Sequence, residues 1–253
     1  MRLTIVGCAG SYPGPGSAAS CYLVQAPHEG RLFSLVLDMG NGALGALQRY
    51  VRLEDIDTVA LSHLHVDHCI DLLSFHVFRT YRPSGPLGPL PVLGPHGTVD
   101  RIARAADVAE QARLRAVFEF TDWHADEPMR CGPFTLTAVP VAHPVEAYAI
   151  RVEHEGKVLV YSGDTGRCEQ LVKAARGADL LLCEASFLDG ADNPPDLHLT
   201  GREAGEYATR AGVERLVLTH VPAWHDAATV HAQARPVFDG SLSMAEPGVS
   251  YDV

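Results

Sequence analysis

The 253-residue sequence has only two lysines, no Cys-x-x-Cys pair, and no apolar run near the ~18 residues that a membrane span needs. The last absence excludes a helical membrane protein. The scarcity of lysine belongs to an acidic balance, 20 basic against 31 acidic residues for a formal charge of −11. Such a balance argues against a broad nucleic-acid-binding surface, which is ordinarily basic. Six cysteines lie scattered, and Met1-Arg2-Leu3-Thr4-Ile5-Val6-Gly7 reads as a strand rather than the start of a secretory leader. Reduced thiols in a cytoplasm fit this usage better than a disulfide framework. Low-complexity linkers and heptads are also missing. With 47% hydrophobic and 20% charged residues the chain is globular rather than disordered. What it does have in surplus is histidine, 13 in all.

Short runs of Val, Ile, Leu and Tyr predict strands over Leu3–Gly7, Cys21–Ala26 and Leu32–Asp38. Gly42–Tyr50 has a helical spacing, as does Asp67–Tyr81 through Ile70, Leu73, Val77 and Phe78. Asp57–Ser62 between them reads as a buried strand. Pro83–Pro95 is a Pro- and Gly-rich loop with a short strand over Leu90–Leu93. A helix over Thr98–Val108 is expected, then strands over Phe134–Val141, Tyr148–His154, Lys157–Ser162 and Asp179–Cys183. The helix Arg202–Ala211, strand Arg215–Thr219, helix Thr229–Phe238 and a last strand Val249–Val253 complete the reading. Each half looks like a sheet with covering helices. That predicts an α/β fold, a four-layer αββα sandwich forming a single domain over residues 1–253.

The densest chemical signal is Ser62-His63-Leu64-His65-Val66-Asp67-His68, between a strand and a helix. Histidine and carboxylate suit zinc and other first-row divalent ions. On extended chain His63 and His65 point to the same side. Asp67 and His68, at the turn into the helix, can serve a second place nearby. Solvated polar residues also start helices, but nothing structural requires three histidines there.

His63-x-His65-x-Asp67-His68 resembles the signature of the metallo-β-lactamase fold hydrolases, and the resemblance runs through most of the chain. Leu37-Asp38-Met39-Gly40 resembles the strand before the signature, and Ala142-His143-Pro144 the next metal histidine. Tyr161-Ser162-Gly163-Asp164-Thr165 resembles the strand-end aspartate motif, and Leu218-Thr219-His220 the final histidine. The resemblance implies two divalent ions, zinc first, with manganese or iron also accepted. One ion would take His63, His65 and His143, and the other Asp67, His68 and His220. Asp164 would bridge them, with a hydroxide between the ions as nucleophile and Asp67 counted among the catalytic groups. Such ions bring the pKa of bound water to about 7 and stabilise an oxyanionic transition state. Asp38 either accepts a hydrogen bond from a ligand histidine, fixing its tautomer, or caps the following turn.

Gly7-Cys8-Ala9-Gly10-Ser11-Tyr12-Pro13 and Val92-Leu93-Gly94-Pro95-His96-Gly97 resemble segments of the ribonuclease Z-like phosphodiesterases. So do Leu182-Cys183-Glu184-Ala185-Ser186-Phe187 and His198-Leu199-Thr200-Gly201-Arg202-Glu203-Ala204. This implies His198 as general acid and Glu184 as its orienting partner; otherwise Glu184 is a surface carboxylate at a strand end. Thr200 suits an N-cap in either case. The tRNA-processing members carry a long arm between the equivalents of His143 and Asp164. Here 20 residues separate them, enough for two strands and a tight turn at Glu155-Gly156-Lys157.

Gly45-Ala46-Leu47-Gln48-Arg49, Pro194–Gly201 and Leu218–Pro222 are similar to actinobacterial enzymes described as atypical cyclic-nucleotide phosphodiesterases. That implies hydrolysis of a 3′,5′-cyclic nucleotide to a nucleoside 5′-monophosphate. A ribonuclease Z-like tRNA 3′ endonuclease or another esterase of the fold is the alternative. A redox di-iron relative commonly carries Glu where His65 stands, and a non-catalytic binding module usually loses ligands that are all present here. The expected partner is a small anionic phosphodiester, with no extended nucleic-acid surface and no membrane. A homodimer is implied by the resemblance alone. Two divalent ions would bring the formal charge to about −7, so a small phosphate ester is not excluded. His76 reads as packed or solvated, and His225 as surface. Trp224 either stacks on a base or covers an edge of the core. The Pro83–Pro95 loop is a lid or a contact surface.

Overall fold

Strand Leu180–Glu184 shows why the molecule is layered. Leu180 and Leu182 join one buried cluster, Leu181 and Cys183 another. Successive strand residues face opposite sides, so a strand buried on both must lie between two layers. The computed structural model describes residues 1–106 and 111–253 and builds these layers from two sheets.

The first sheet contains β1 (Arg2–Gly10), β2 (Ala18–Ala19), β3 (Cys21–His28), β4 (Arg31–Leu37), β5 (Thr58–Ala60), β6 (Leu90–Gly94) and β7 (Phe118–Asp122). The second contains β8 (Met129–Cys131), β9 (Phe134–Pro140), β10 (Tyr148–His154), β11 (Lys157–Tyr161), β12 (Leu180–Glu184), β13 (Arg215–Thr219) and β15 (Ser241–Met244). β14 (Val221–Pro222) crosses back to the first sheet, and β16 (Ser250–Asp252) joins it on β1. The orders are β14-β1-β3-β4-β5-β6-β7, with β2 and β16 also paired to β1, and β15-β13-β12-β11-β10-β9-β8.

Between the sheets, Leu3, Tyr22 and Leu35 meet Leu136, Ile150 and Leu182. The outer face of the first sheet is covered by α1 (Ala43–Leu47), α2 (Val66–Cys69), α3 (Leu72–Tyr81), α4 (Thr98–Ala106) and α5 (Gln111–Val117), through residues such as Leu47, Phe75 and Ile102. α6 (Glu169–Ala175), α7 (Gly201–Ala211) and α8 (Ala227–Ala234) cover the second through Leu171, Tyr207 and Val230. The result is the αββα sandwich expected. Among the described residues no helix is long and apolar enough to cross a membrane.

One expected helix is broken. Asp67–Tyr81 divides into α2 and α3, because the chain at the break bonds elsewhere. The His68 carbonyl accepts from Met39 N–H at 2.7 Å, and Asp71 N–H donates to the Met39 carbonyl at 3.1 Å. Both groups leave the helical ladder to hold the loop after β4. α8 begins at Ala227 rather than Thr229, because the Asp226 carboxylate accepts from Ala228 N–H and Thr229 N–H. It ends at Ala234, and the expected continuation to Phe238 is a 3₁₀ turn over Arg235–Val237. The last two residues of the expected Thr98–Val108 helix lie outside the described residues. Elements α5, α6, β2, β7, β8, β14 and β15 were not anticipated.

Strands β4, β5, β9, β11, β12 and β13 deliver their C-terminal ends to one edge of the sandwich, where the candidate residues gather. Between β10 and β11 the chain turns in two residues, Glu155 at φ 50° and Gly156 at φ 77°. That left-handed pair is the backbone a two-residue hairpin requires. The Pro83–Pro95 loop is tied to α3, where the Arg79 carbonyl accepts from Leu87 N–H at 2.9 Å and the Arg79 guanidinium donates to the Gly88 carbonyl.

Candidate metal centre

Every candidate ligand stands just past a strand end. His63 and His65 follow β5, and Asp67 and His68 occupy α2. His143 follows β9, Asp164 follows β11, and His220 follows β13. His63, Asp67, His68, Asp164 and His220 are buried, while His65 and His143 are half-buried.

The structure groups them in two sets: His63, His65, His143 and Asp164, and Asp67, His68, Asp164 and His220. Within each set the ligating atoms lie within 4.8 Å of one another. Asp164 belongs to both, its Oδ2 3.6 Å from His63 Nε2 and 3.3 Å from His68 Nε2.

Hydrogen bonds behind the rings decide which nitrogens face inward. His68 Nδ1 donates to Asp38 Oδ2 at 2.7 Å. His63 Nδ1 donates to the Ser62 hydroxyl at 3.0 Å, and that hydroxyl donates to Asp38 Oδ2 at 2.7 Å. Asp38 also accepts from Ser62 N–H and the Tyr161 hydroxyl, each at 2.7 Å. Of the two roles open to Asp38, it takes the histidine-orienting one. His143 Nδ1 donates to the Leu197 carbonyl at 3.0 Å, and His220 Nδ1 to the Ser186 hydroxyl at 2.8 Å. These bonds leave Nε2 of His63, His68, His143 and His220 as acceptors. His65 presents Nδ1 instead, 3.0 Å from His63 Nε2 and 3.2 Å from His143 Nε2.

This donor set fits divalent ions. His68 Nε2 and His220 Nε2 face each other at 3.1 Å with both Nδ1 protons committed elsewhere, and Asp67 Oδ2 lies 3.1 Å from His220 Nε2. Three acceptors converge with no donor between them. Asp164 Oδ1 is buried without a hydrogen-bond partner, which is costly for a carboxylate lacking a cation. Around a tetrahedral zinc at about 2.0–2.1 Å, neighbouring ligand nitrogens stand roughly 3.3–3.4 Å apart, close to the spacings here. Burial pushes His63, His65 and His143 below the usual histidine range, which keeps them in the neutral, metal-binding form. Burial alone would raise the Asp164 carboxyl. The imidazoles of His220, His68 and His63 around it outweigh burial and hold the carboxyl well below its usual range.

A third group adjoins the second set. His198 Nδ1 donates to Glu184 Oε1 at 2.9 Å and lies 3.9 Å from Asp164 Oδ2. Glu184 is fully buried, so it is no surface carboxylate, and it also accepts from Thr165 N–H and Ser186 N–H. Burial pulls the imidazole pKa down, but the Glu184 charge and hydrogen bond, with Asp164 behind them, push it up to about 9. Thr200 and Glu203 form a reciprocal capping box at the start of α7, two residues beyond His198. A cavity of 200 Å³ opens beside His198, lined also by Arg167, Phe187 and Asp196.

The remaining candidates lie apart. His76 is buried in α3, Trp224 is exposed, and His225 is half-buried. Ser62, Ser186 and Tyr161 were missed as orienting groups. Ser62 and Ser186 adjoin recognised ligand or acid motifs, but a serine there carries no spacing signal of its own.

Residues 34–221 match the family described as Beta-lactamase superfamily domain. An uncharacterized protein of Mycobacterium tuberculosis is 45% identical over 245 residues, 96% of this chain and 88% of that protein. The Bacillus subtilis protein named Probable metallo-hydrolase YhfI is 31% identical over 254 residues, covering all of both chains. Its crystal structure superposes with a TM-score of 0.88 at 28% identity, over 99% of this chain and 98% of that one. A protein of Halorubrum lacusprofundi named Ribonuclease Z is 28% identical over 302 residues, 98% of this chain and 96% of that protein.

Proposed function

The chain belongs to the beta-lactamase superfamily, and from that premise we propose that it is a two-metal phosphodiesterase hydrolysing 3′,5′-cyclic nucleotides to nucleoside 5′-monophosphates. It is a metallo-hydrolase of that fold. The observation that carries the finer reading is the His198–Glu184 pair at 2.9 Å, set against the two ligand sets. An acid of this kind is needed where the leaving group is an alkoxide.

His63, His65 and His143 would hold one ion, Asp67, His68 and His220 the other, with Asp164 shared. When bound, such ions activate water and stabilise charge on phosphoryl oxygens. The chain's own groups do the rest. Asp38 and Ser62 keep the Nε2 lone pairs of His68 and His63 turned inward. Glu184 holds His198 by Nδ1 and favours the protonated ring. The proton on Nε2 is then available to the departing 3′-oxygen. The two-residue turn at Glu155–Gly156 provides no arm to grip a long RNA, which favours a small substrate over a tRNA precursor.

The test assays one preparation for metal content and for turnover of cyclic AMP, a bis-aryl phosphate and a tRNA precursor. Two ions per chain with conversion of cyclic AMP to the 5′-monophosphate are expected. Cleavage of the tRNA precursor alone, or silence on every phosphodiester with metal bound, refutes the reading.

A further inference from the structure

Two exposed aromatic rings meet beside the metal-ligand edge. Tyr12, past the end of β1, is 44% exposed, and Trp224, past β14, is 58% exposed. Their ring centroids are 5.3 Å apart at 40°. The register explains the meeting. β1 and β14 run parallel, with Ala9 beside Val221 and Gly10 beside Pro222, so residues two steps further along both chains stay level.

The Trp224 ring and the Tyr12 backbone are held in place. The Trp224 indole N–H donates to His225 Nε2 at 3.2 Å. Tyr12 N–H folds back to the Gly10 carbonyl at 2.8 Å, with Ser11 between them in left-handed backbone at φ 64°. A fixed apolar face of this size left in water gains nothing for the fold, since aromatic rings contribute to stability through burial.

The pair stands next to the candidate centre. Gly10 packs so tightly on His220 that a Cβ there would lie 2.3 Å from the His220 carbonyl oxygen. Trp224 is four residues beyond His220, at most about 14 Å away even on fully extended chain. That reach is comparable with the length of a nucleotide. Phe187, the aromatic ring against His198 at 5.1 Å, is half-buried and committed to that imidazole.

We propose that Tyr12 and Trp224 form the platform on which the nucleobase of the substrate stacks, with Trp224 as the specificity-determining ring. The identity of the substrate as a nucleotide rests on the phosphodiesterase reading above. Every base has a π face, so stacking selects for the presence of a base and tolerates which base it is. The platform therefore separates nucleotides from sugar phosphates that the metal end alone would treat alike.

Tryptophan emission tests this without relying on turnover. The only other tryptophan, Trp123, is buried and bonded to the Leu61 carbonyl, so quenching by an added ligand reports on Trp224. The metal-loaded enzyme is titrated with adenosine 5′-monophosphate and with ribose 5-phosphate, and calorimetry gives the affinity of each ligand for the wild type and the variants. Quenching by the nucleotide is expected, with binding at least tenfold tighter than the sugar phosphate. In Trp224→Ala that preference should shrink below threefold, and Trp224→Phe should restore most of it. The KM for cyclic AMP should rise at least tenfold in Trp224→Ala while kcat stays within threefold. Equal binding of the two ligands by the wild type, or an undiminished preference in Trp224→Ala, overturns the platform. Quenching and nucleotide preference without any cyclic-nucleotide turnover would support the platform and refute the phosphodiesterase reading instead.

Discussion

Asp38 accepts a 2.7 Å hydrogen bond from His68 Nδ1, and through the Ser62 hydroxyl the same carboxylate oxygen orients His63. One carboxylate thus steers one ring in each ligand set. It does so from a left-handed backbone, φ 58°, which few residues other than glycine, asparagine and aspartate adopt readily.

Asp38→Asn tests that steering. Asparagine tolerates the same backbone but removes the charge and one acceptor. Metal affinity should fall about 10–100-fold, the usual cost of losing an outer partner of a ligand histidine. Far-ultraviolet circular dichroism should be unchanged. Titration with a competing chelator measures the affinity, and wild-type binding in the variant would refute the role.

Asp164→Ala should remove the group that both sets share. The variant is expected to retain less than one ion per chain by elemental analysis. The wild-type protein should lose thermal stability on chelation, since each site at 100 times its Kd adds about 2.7 kcal/mol. A variant that still holds two ions would exclude Asp164 as the shared ligand.

The pH dependence of His198 follows from Glu184. In the metal-free protein its pKa is pushed up to about 9. The folded state therefore binds this proton more tightly than the unfolded state does. The resulting stabilisation is full below about pH 6.5 and is lost as the pH rises through about 9. Glu184→Gln removes the main opposing charge, and the imidazole resonances of His198 should then titrate at lower pH. An unmoved midpoint would show that Glu184 does not set it. In the loaded enzyme, His198→Ala should reduce kcat by about 10²–10⁴ while metal content holds.

Gly10→Ala places one methyl against the His220 carbonyl. His220 itself sits at φ 57° and has no easy retreat. Overpacking of this kind costs about 1–3 kcal/mol, measurable as a lower urea midpoint. Metal affinity should fall with it, whereas Gly45→Ala, inside α1 with open space around the added carbon, should lower neither.

The residues of the candidate centre were legible in the sequence because histidine and aspartate declare their chemistry by type and spacing. The layers were legible because a continuous apolar run such as Leu180–Cys183 has no polar face to leave in water. The break after α2 was not, since Ile70, Leu73 and Val77 keep their helical period across it. Its cause is a pair of bonds to Met39, brought near only by tertiary structure. Strand β7 did alternate, as Phe118-Glu119-Phe120-Thr121, and β15 did too, as Ser241-Leu242-Ser243-Met244. Both are too short to stand out among 23 Gly and 17 Pro. Ser62 and Ser186 act through hydroxyl direction, which no local pattern encodes.

The distribution of the candidate ligands along the chain would also set an order of metal capture. His63, His65, Asp67 and His68 lie within six residues and can meet an ion before any sheet exists. His143, Asp164 and His220 arrive only when β9, β11 and β13 have paired and the second sheet has docked on the first. An ion caught early by the hexapeptide would be held loosely by the nascent chain. Tight capture would then be a late event that latches the two halves of the fold together. Refolding with metal present should accordingly show a slow gain in chelator resistance after the sheets have formed.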